Sequence, residues 1–159
     1  MSFFEVLWAY LLVFVFSATP LFESIIVIPL GIFAGLSAIP VTIVALVGNL
    51  LTVYLVIVFV EQIKNWRNKR KKQEGVEKQN KRSERAKAIW KKYGLPGLAI
   101  IGPLFVGSHI TALMGLSLGG SKKMVASWLT ASLIFWCILA AILAHLGFDL
   151  FNAQDREIF

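Results

Sequence analysis

Two ionisable side chains, Glu23 and His109, lie in stretches of this sequence that are otherwise apolar. A carboxylate among apolar residues is costly in a membrane, so it usually faces a cavity and handles protons or cations. Histidine changes its charge near neutral pH and suits the same chemistry. Two structural interpretations stay open: Glu23 lies at a membrane interface near Pro20, and a backbone carbonyl satisfies His109.

Four polar residues accompany this pair and complete a predicted site for a substrate or a proton. We expect one polar, water-accessible pocket formed by Glu23, His109, Ser24, Ser108, Thr111 and Asn49. A pair of ionisable groups avoids leaving one charge alone in hydrocarbon, where an acidic residue costs on the order of 3 kcal/mol at the centre of a span. Asn49 has a second interpretation, a hydrogen bond between packed helices.

Enzyme and metal-site motifs are absent from the sequence. It contains no H-E-x-x-H, no G-x-S-x-G and no P-loop. One Glu and one His make a poor metal site, which usually needs three or four ligands. We therefore expect no catalytic residue, no metal and no cofactor, and we interpret Cys137 as a small packing residue.

Three apolar stretches are predicted to cross a membrane as helices, over residues 3–18, 41–60 and 122–146. Residues 41–60 carry no charge, and twenty residues at about 1.5 Å each span roughly 30 Å, the thickness of the hydrocarbon core. The chain has 159 residues, of which 57% are hydrophobic, too few to bury such segments in a soluble core. No basic residue precedes the first stretch, so we expect a retained helix rather than a cleaved signal peptide.

Two further apolar segments, residues 20–39 and 95–120, contain prolines and glycines that disfavour one straight helix. In lipid, irregular backbone is tolerated only where protein or a water-lined cavity satisfies it. We therefore predict two re-entrant hairpins, with a kinked or fully spanning helix as the alternative. The residues expected to form the hairpins are Pro29, Gly31, Gly35, Pro103, Gly107, Gly115 and Gly119.

A repeated pattern links the two halves of the chain. Pro20-Leu21-Phe22 recurs 83 residues later, and the G-x-x-x-G spacing of Gly31 and Gly35 recurs 84 residues later. If the second broken segment enters the membrane and returns, Lys122 and Lys123 stay in the cytosol, as the positive-inside rule prefers. The first broken segment then enters from the opposite side. This predicts an inverted repeat, a common plan in secondary transporters.

The net charge of +7 is concentrated in one predicted loop, residues 61–93. Thirteen of the sixteen Lys and Arg residues lie between Lys64 and Lys92. Because a basic loop between membrane segments faces the cytosol, we expect lipid rather than nucleic acid as its partner. Residues 83–93 have apolar residues at helical spacing, which predicts a short helix on the inner membrane surface, attracted by anionic lipid. Specific recognition of a lipid or a partner is the alternative, and the tail 147–159 is predicted to lie outside.

The motifs together resemble a known family. Glu23-Ser24, then Ile28-Pro29-Leu30-Gly31-Ile32, then Gly48-Asn49-Leu50 and a basic loop resemble the small multidrug export protein family over about residues 18–146. The segment 102–111 is similar to the second proline- and glycine-rich motif of that family. The family is similar in plan to DedA-like membrane proteins, which are associated with lipid-carrier translocation and have paired re-entrant hairpins. Their membrane-embedded arginines have no counterpart between residues 1 and 62 or between 93 and 120.

The sequence thus predicts one all-α integral membrane domain over residues 1–159, multi-pass in a prokaryotic-type inner membrane. It is an inverted repeat of a re-entrant hairpin plus a transmembrane helix, with an extra N-terminal transmembrane helix. Because so small a chain shields little interior from lipid, we expect a homo-oligomer, with a dimer favoured. The expected function is export of small amphipathic or cationic compounds with a protonatable Glu23. The alternatives are a DedA-like translocase or scramblase for a lipid or polyprenyl-phosphate carrier, and a scaffold without transport.

Overall fold

The computed structural model describes residues 3–20, 22–60, 62 and 81–156, and these residues form six helices and no strand. The helices are α1 (Phe3–Ala18), α2 (Ser24–Phe33), α3 (Ala38–Val58), α4 (Lys81–Phe105), α5 (Ser108–Ser117) and α6 (Lys122–Arg156). The prediction of an all-helical chain is confirmed. Most of the predicted basic loop, residues 61 and 63–80, lies outside the described residues, as do 1, 2, 21 and 157–159.

Two of the helices are long and apolar enough to cross a membrane. They are Ala38–Val58, with a mean hydropathy of 2.5, and Lys122–Gly147, with 2.2. Of these spans only 33% and 28% is buried inside the protein, whereas the core helix of a soluble protein is mostly buried. The exposed residues include large apolar side chains such as Ile43, Val47 and Phe135. So large an apolar surface favours apolar surroundings, and the two helices have the length and composition of membrane spans.

The chain divides into two compact units, and the first consists of Met1–Leu51 and Leu133–Phe159. It contains α1, α2, the first part of α3 and the last part of α6. Its apolar core is formed by Val13, Val27, Ile28, Ile32, Leu36, Val41, Ala45, Cys137 and Ala144. Gly48 lets α3 pass directly against α1, because a Cβ at this position would lie 2.7 Å from the backbone oxygen of Phe14.

The second unit consists of Thr52–Ser132 and contains the end of α3, α4, α5 and the start of α6. The helix α4 changes direction at Gly94, whose φ of 66° and ψ of −160° are not helical. Beyond this bend α4 packs on α5, where Gly102 lies so close to Thr111 that a Cβ would collide with it. Leu98 of α4, Met114 of α5 and Val106 between them form a small buried apolar core.

Each unit contains the same succession of backbone conformations, 84 residues apart. The helices α2 and α5 have ten residues each and are followed by a glycine with positive φ, Gly35 at 86° and Gly119 at 107°. In the first unit Leu36 donates its N–H to the carbonyl of Gly31 at 3.1 Å. In the second unit Gly120 donates its N–H to the carbonyl of Gly115 at 2.9 Å. This is the Schellman arrangement that ends many helices.

The start of the following long helix is also repeated. The helices α3 and α6 begin at positions 38 and 122, one residue after Ser37 and Ser121. A valine then faces the helical glycine in each unit: a Cβ on Gly31 would lie 2.9 Å from Val41. A Cβ on Gly115 would lie 3.3 Å from Val125. The two units therefore share a local frame of short helix, glycine turn and long helix.

The prolines assigned to the predicted hairpins lie inside helices, and the chain turns at glycines instead. Pro29 is within α2 and Pro103 is within α4. A proline inside a helix removes one hydrogen bond without necessarily ending the helix. The turns occur at Gly35, Gly107 and Gly119, which have positive φ angles that side chains with a Cβ rarely adopt.

Candidate functional site

Glu23 lies at the N-terminus of α2 in the first unit. Its backbone is extended, with φ −75° and ψ 153°, and its carbonyl accepts the N–H groups of Ile26 and Val27 at 2.9 and 3.1 Å. The residue is 6% exposed. The N-terminus of a helix attracts negative charge, so the backbone gives this buried carboxylate a favourable position.

Next to Glu23, three helices of the first unit meet at the hydroxyl of Ser24. The side-chain amide of Asn49 on α3 donates to Ser24 Oγ at 3.0 Å, and Cys137 Sγ on α6 donates to the same oxygen at 3.2 Å. All three residues have no exposed surface. Asn49 thus makes a hydrogen bond between helices, one of the two roles considered for it, and Cys137 is a polar partner as well as a core residue.

His109 is held by both ring nitrogens in the second unit. Its Nε2 lies 2.8 Å from Thr52 Oγ1 on α3, and its Nδ1 lies 3.3 Å from Ser108 Oγ. The residue is 7% exposed. In a neutral imidazole one nitrogen donates and the other accepts, and a hydroxyl can serve either. The chain from Ser108 through His109 to Thr52 therefore accommodates either neutral tautomer.

Thr111 supports the turn that presents His109. Its hydroxyl donates to the carbonyl of Gly107 at 2.7 Å, and its side chain packs on Gly102 of α4. The hydroxyl is thus occupied by the backbone. This arrangement fixes the first turn of α5, on which Ser108 and His109 lie.

The predicted site residues therefore fall into two groups. Glu23, Ser24 and Asn49 lie together in the first unit, and Ser108, His109 and Thr111 lie together in the second. The pocket that Glu23 and His109 were expected to share stays a prediction.

Two polar partners, Cys137 and Thr52, were missed by the sequence analysis. Thr52 follows Asn49 by three residues, which places the two on one face of α3, and this spacing was a usable signal. Cys137 bonds to a residue 113 positions away, and no local pattern indicates such a pairing. Among the residues that the structure describes, no group of three His, Cys, Asp or Glu side chains is placed to hold a metal ion.

The first unit also contains two apolar grooves. One, of about 600 Å³, is lined mainly by apolar side chains, among them Ile39, Ile43, Ile138 and Ile142, and also by His145. The other, of about 350 Å³, lies between α1 and α2. Grooves lined by apolar side chains with few polar groups are typical sites for the apolar part of a small ligand.

Comparison with known proteins identifies the family. No curated protein and no solved structure gave a match. The family described as "Putative small multi-drug export protein" matches residues 23–139. The match begins at Glu23 and includes His109 and Cys137, so it covers both groups of polar residues, and its description is that of an exporter rather than an enzyme. The chain therefore belongs to the family of putative small multi-drug export proteins.

Proposed function

We propose that the protein exports small amphipathic or cationic compounds across a membrane, with Glu23 binding either the cation or a proton. The main support is the environment of Glu23. It is the single charged residue between Glu5 and Glu61, it is 6% exposed, and it lies beside the polar cluster of Ser24 and Asn49. A buried carboxylate in a membrane segment normally has a role in ion or proton handling.

Competition between a proton and the cation for the carboxylate of Glu23 couples proton movement to export. When Glu23 is ionised it attracts a cation, and when it is protonated the attraction is lost. A proton arriving from one side can therefore release a cation bound from the other. The apolar grooves of the first unit offer surface for the apolar part of an amphipathic compound.

Transport by the full chain in proteoliposomes tests this proposal. A panel of cationic dyes is offered with and without a pH gradient. We expect gradient-dependent transport that falls by about tenfold or more in Glu23→Gln, since the amide can neither bind a proton nor carry charge. Glu5→Gln is the matched control, because the same change is made at an exposed residue of α1. Transport that ignores both the gradient and Glu23→Gln refutes the proposal.

The proposed arrangement is that of an inner-membrane protein with several spans and a cytosolic basic loop. It rests on the positive-inside rule, since Lys122, Lys123 and the loop are the basic regions next to the apolar segments. The repeated short helix, glycine turn and long helix support a repeat, and the positive-inside rule favours opposite orientations for its two copies, as in an inverted repeat with re-entrant segments. Large exposed apolar side chains and the small size of the chain support a homo-oligomer, with a dimer favoured.

A second candidate function is translocation of a lipid or polyprenyl phosphate, as in DedA-like proteins. The N-terminus of α5 supports it, because the first turn of this helix carries no acidic residue and helix N-termini bind phosphates. The same proteoliposomes with lipid phosphates distinguish the candidates. Translocation that depends on Ser108 and His109 but not on Glu23 favours the lipid substrate.

A further inference from the structure

The part of α4 before Gly94, residues 81–93, presents a basic surface, and we name it the basic arm. Arg85, Lys91 and Lys92 are exposed. Tyr93 is 51% exposed, and Lys92 Nζ lies 5.1 Å from the centre of its ring. Exposed lysines beside an aromatic ring are typical of segments at the membrane surface, where tyrosine lies at the level of the lipid headgroups.

Two apolar side chains of the basic arm pack inside the second unit. Ile89 and Trp90 are partly buried against the core of Leu98, Val106 and Met114. Val106 directly precedes Gly107, and Met114 belongs to α5. The arm thus contacts the same core that supports the helix carrying His109.

We propose that the basic arm binds anionic phospholipid headgroups and that this binding is transmitted through Ile89 and Trp90 to α5. Charge complementarity identifies the partner, because each lysine near an anionic membrane surface strengthens binding roughly fivefold. The packed side chains between the arm and α5 form a continuous contact through which coupling can pass. The arm joins the rest of α4 at Gly94, where the non-helical φ and ψ produce a bend.

This inference is independent of the transported compound, so its test measures structure and lipid binding rather than transport. The full chain is placed in nanodiscs of phosphatidylcholine, with and without about one-third phosphatidylglycerol. Hydrogen exchange is followed over residues 107–117, and lipid retained by the protein is counted by mass spectrometry. We expect phosphatidylglycerol to slow exchange there by about threefold or more, as a ligand that stabilises one state does.

Two double variants with equal loss of charge distinguish lipid binding by the basic arm from a general effect of positive charge. Lys91→Ala with Lys92→Ala is expected to lose the exchange response and the retained phosphatidylglycerol. Lys122→Ala with Lys123→Ala, at exposed positions of the same unit, is expected to keep the exchange response and to lose less of the retained phosphatidylglycerol. An equal loss in the two double variants overturns the arm as the binding surface, and so does an unchanged response of the first.

Trp90→Ala tests the transmission step. It keeps every lysine, so we expect it to retain phosphatidylglycerol while exchange over residues 107–117 no longer responds. Ile89→Ala, a smaller change in the same contact, serves if Trp90→Ala does not fold, and it is expected to weaken the response. A full response in both variants refutes transmission through this contact, and absence of any response in the unaltered chain refutes the whole proposal.

Discussion

At the scale of single residues, the polar groups of this protein are joined in small clusters between helices. Ser24 accepts from Asn49 and Cys137, and His109 contacts Thr52 and Ser108. Hydrogen bonds between membrane helices are worth about 0.6 to 2 kcal/mol each. The clusters therefore contribute to stability whether or not a ligand uses them, and a test of function has to separate the two effects.

Thr52→Val should destabilise the protein by about 1 to 2 kcal/mol, because it leaves the buried Nε2 of His109 without this hydroxyl partner while preserving the shape of the side chain. Thermal unfolding in detergent measures the effect. Thr42→Val is the control, since the hydroxyl of Thr42 donates to the carbonyl of Ala38 in its own helix. A larger loss in the control than in Thr52→Val contradicts this account of His109.

The sequence revealed the members of the clusters better than their partners. Glu23, His109 and Asn49 stand out because they are polar in apolar stretches. Their partners depend on which helices pack together: His109 and Thr52 are 57 residues apart, and Ser24 and Cys137 are 113 apart. Periodicity within one helix does not indicate which residues of other helices, far away in the sequence, will be its contacts.

At the scale of elements, close packing depends on glycines inside helices. A Cβ on Gly31 would lie 2.9 Å from a side-chain atom of Val41, whereas a Cβ on Gly48 would lie 2.7 Å from the backbone oxygen of Phe14. A side chain can be shortened, but a backbone can yield only if a whole helix moves. The two glycines therefore impose constraints of different kinds.

Gly31→Ala and Gly48→Ala should both destabilise the first unit, by about 1 to 3 kcal/mol, because overpacking outweighs the gain in helix propensity. Combining Gly31→Ala with Val41→Ala should recover most of the loss. Combining Gly48→Ala with Phe14→Ala should not, since the backbone oxygen remains. Unfolding midpoints of the four variants decide the matter, and equal recovery in both pairs would be inconsistent with these contacts.

Hydropathy predicted the positions of α1, α3 and α6, but not all of their ends. The stretch predicted over 3–18 coincides with α1, whereas α3 begins at Ala38 rather than at residue 41. Pro40 explains the difference, because a proline in the first turn loses no hydrogen bond. The helix α6 continues to Arg156, beyond the predicted end at residue 146, since hydropathy measures the apolar length of a helix and not its full length.

At the scale of the whole molecule, two long apolar helices and the family assignment indicate a membrane protein. The side on which each repeated turn lies is the property that separates an inverted repeat from a parallel one. Ser37 and Ser121 occupy the same place in the two copies, one residue before a long helix, and both are exposed.

Ser37→Cys and Ser121→Cys should be labelled from opposite sides of the membrane. Each is introduced into a Cys137→Ser background, so that one thiol is present. A maleimide that cannot cross the membrane is applied to intact cells and to inverted vesicles. We expect Ser37→Cys to react in cells and Ser121→Cys in inverted vesicles. Reaction of both from one side would exclude the inverted repeat.

The repetition at 84 residues also bears on ancestry. A constant offset across a helix, a turn and a helix start is the trace that duplication of an ancestral segment leaves in its descendant. The two segments differ in their ionisable residues: Glu23 corresponds to Gly107, and His109 corresponds to Ile25. The two segments share their backbone geometry, but the carboxylate of Glu23 is found in the first segment alone and the imidazole of His109 in the second alone. If both ionisable groups serve one function, as predicted, that function needs both segments.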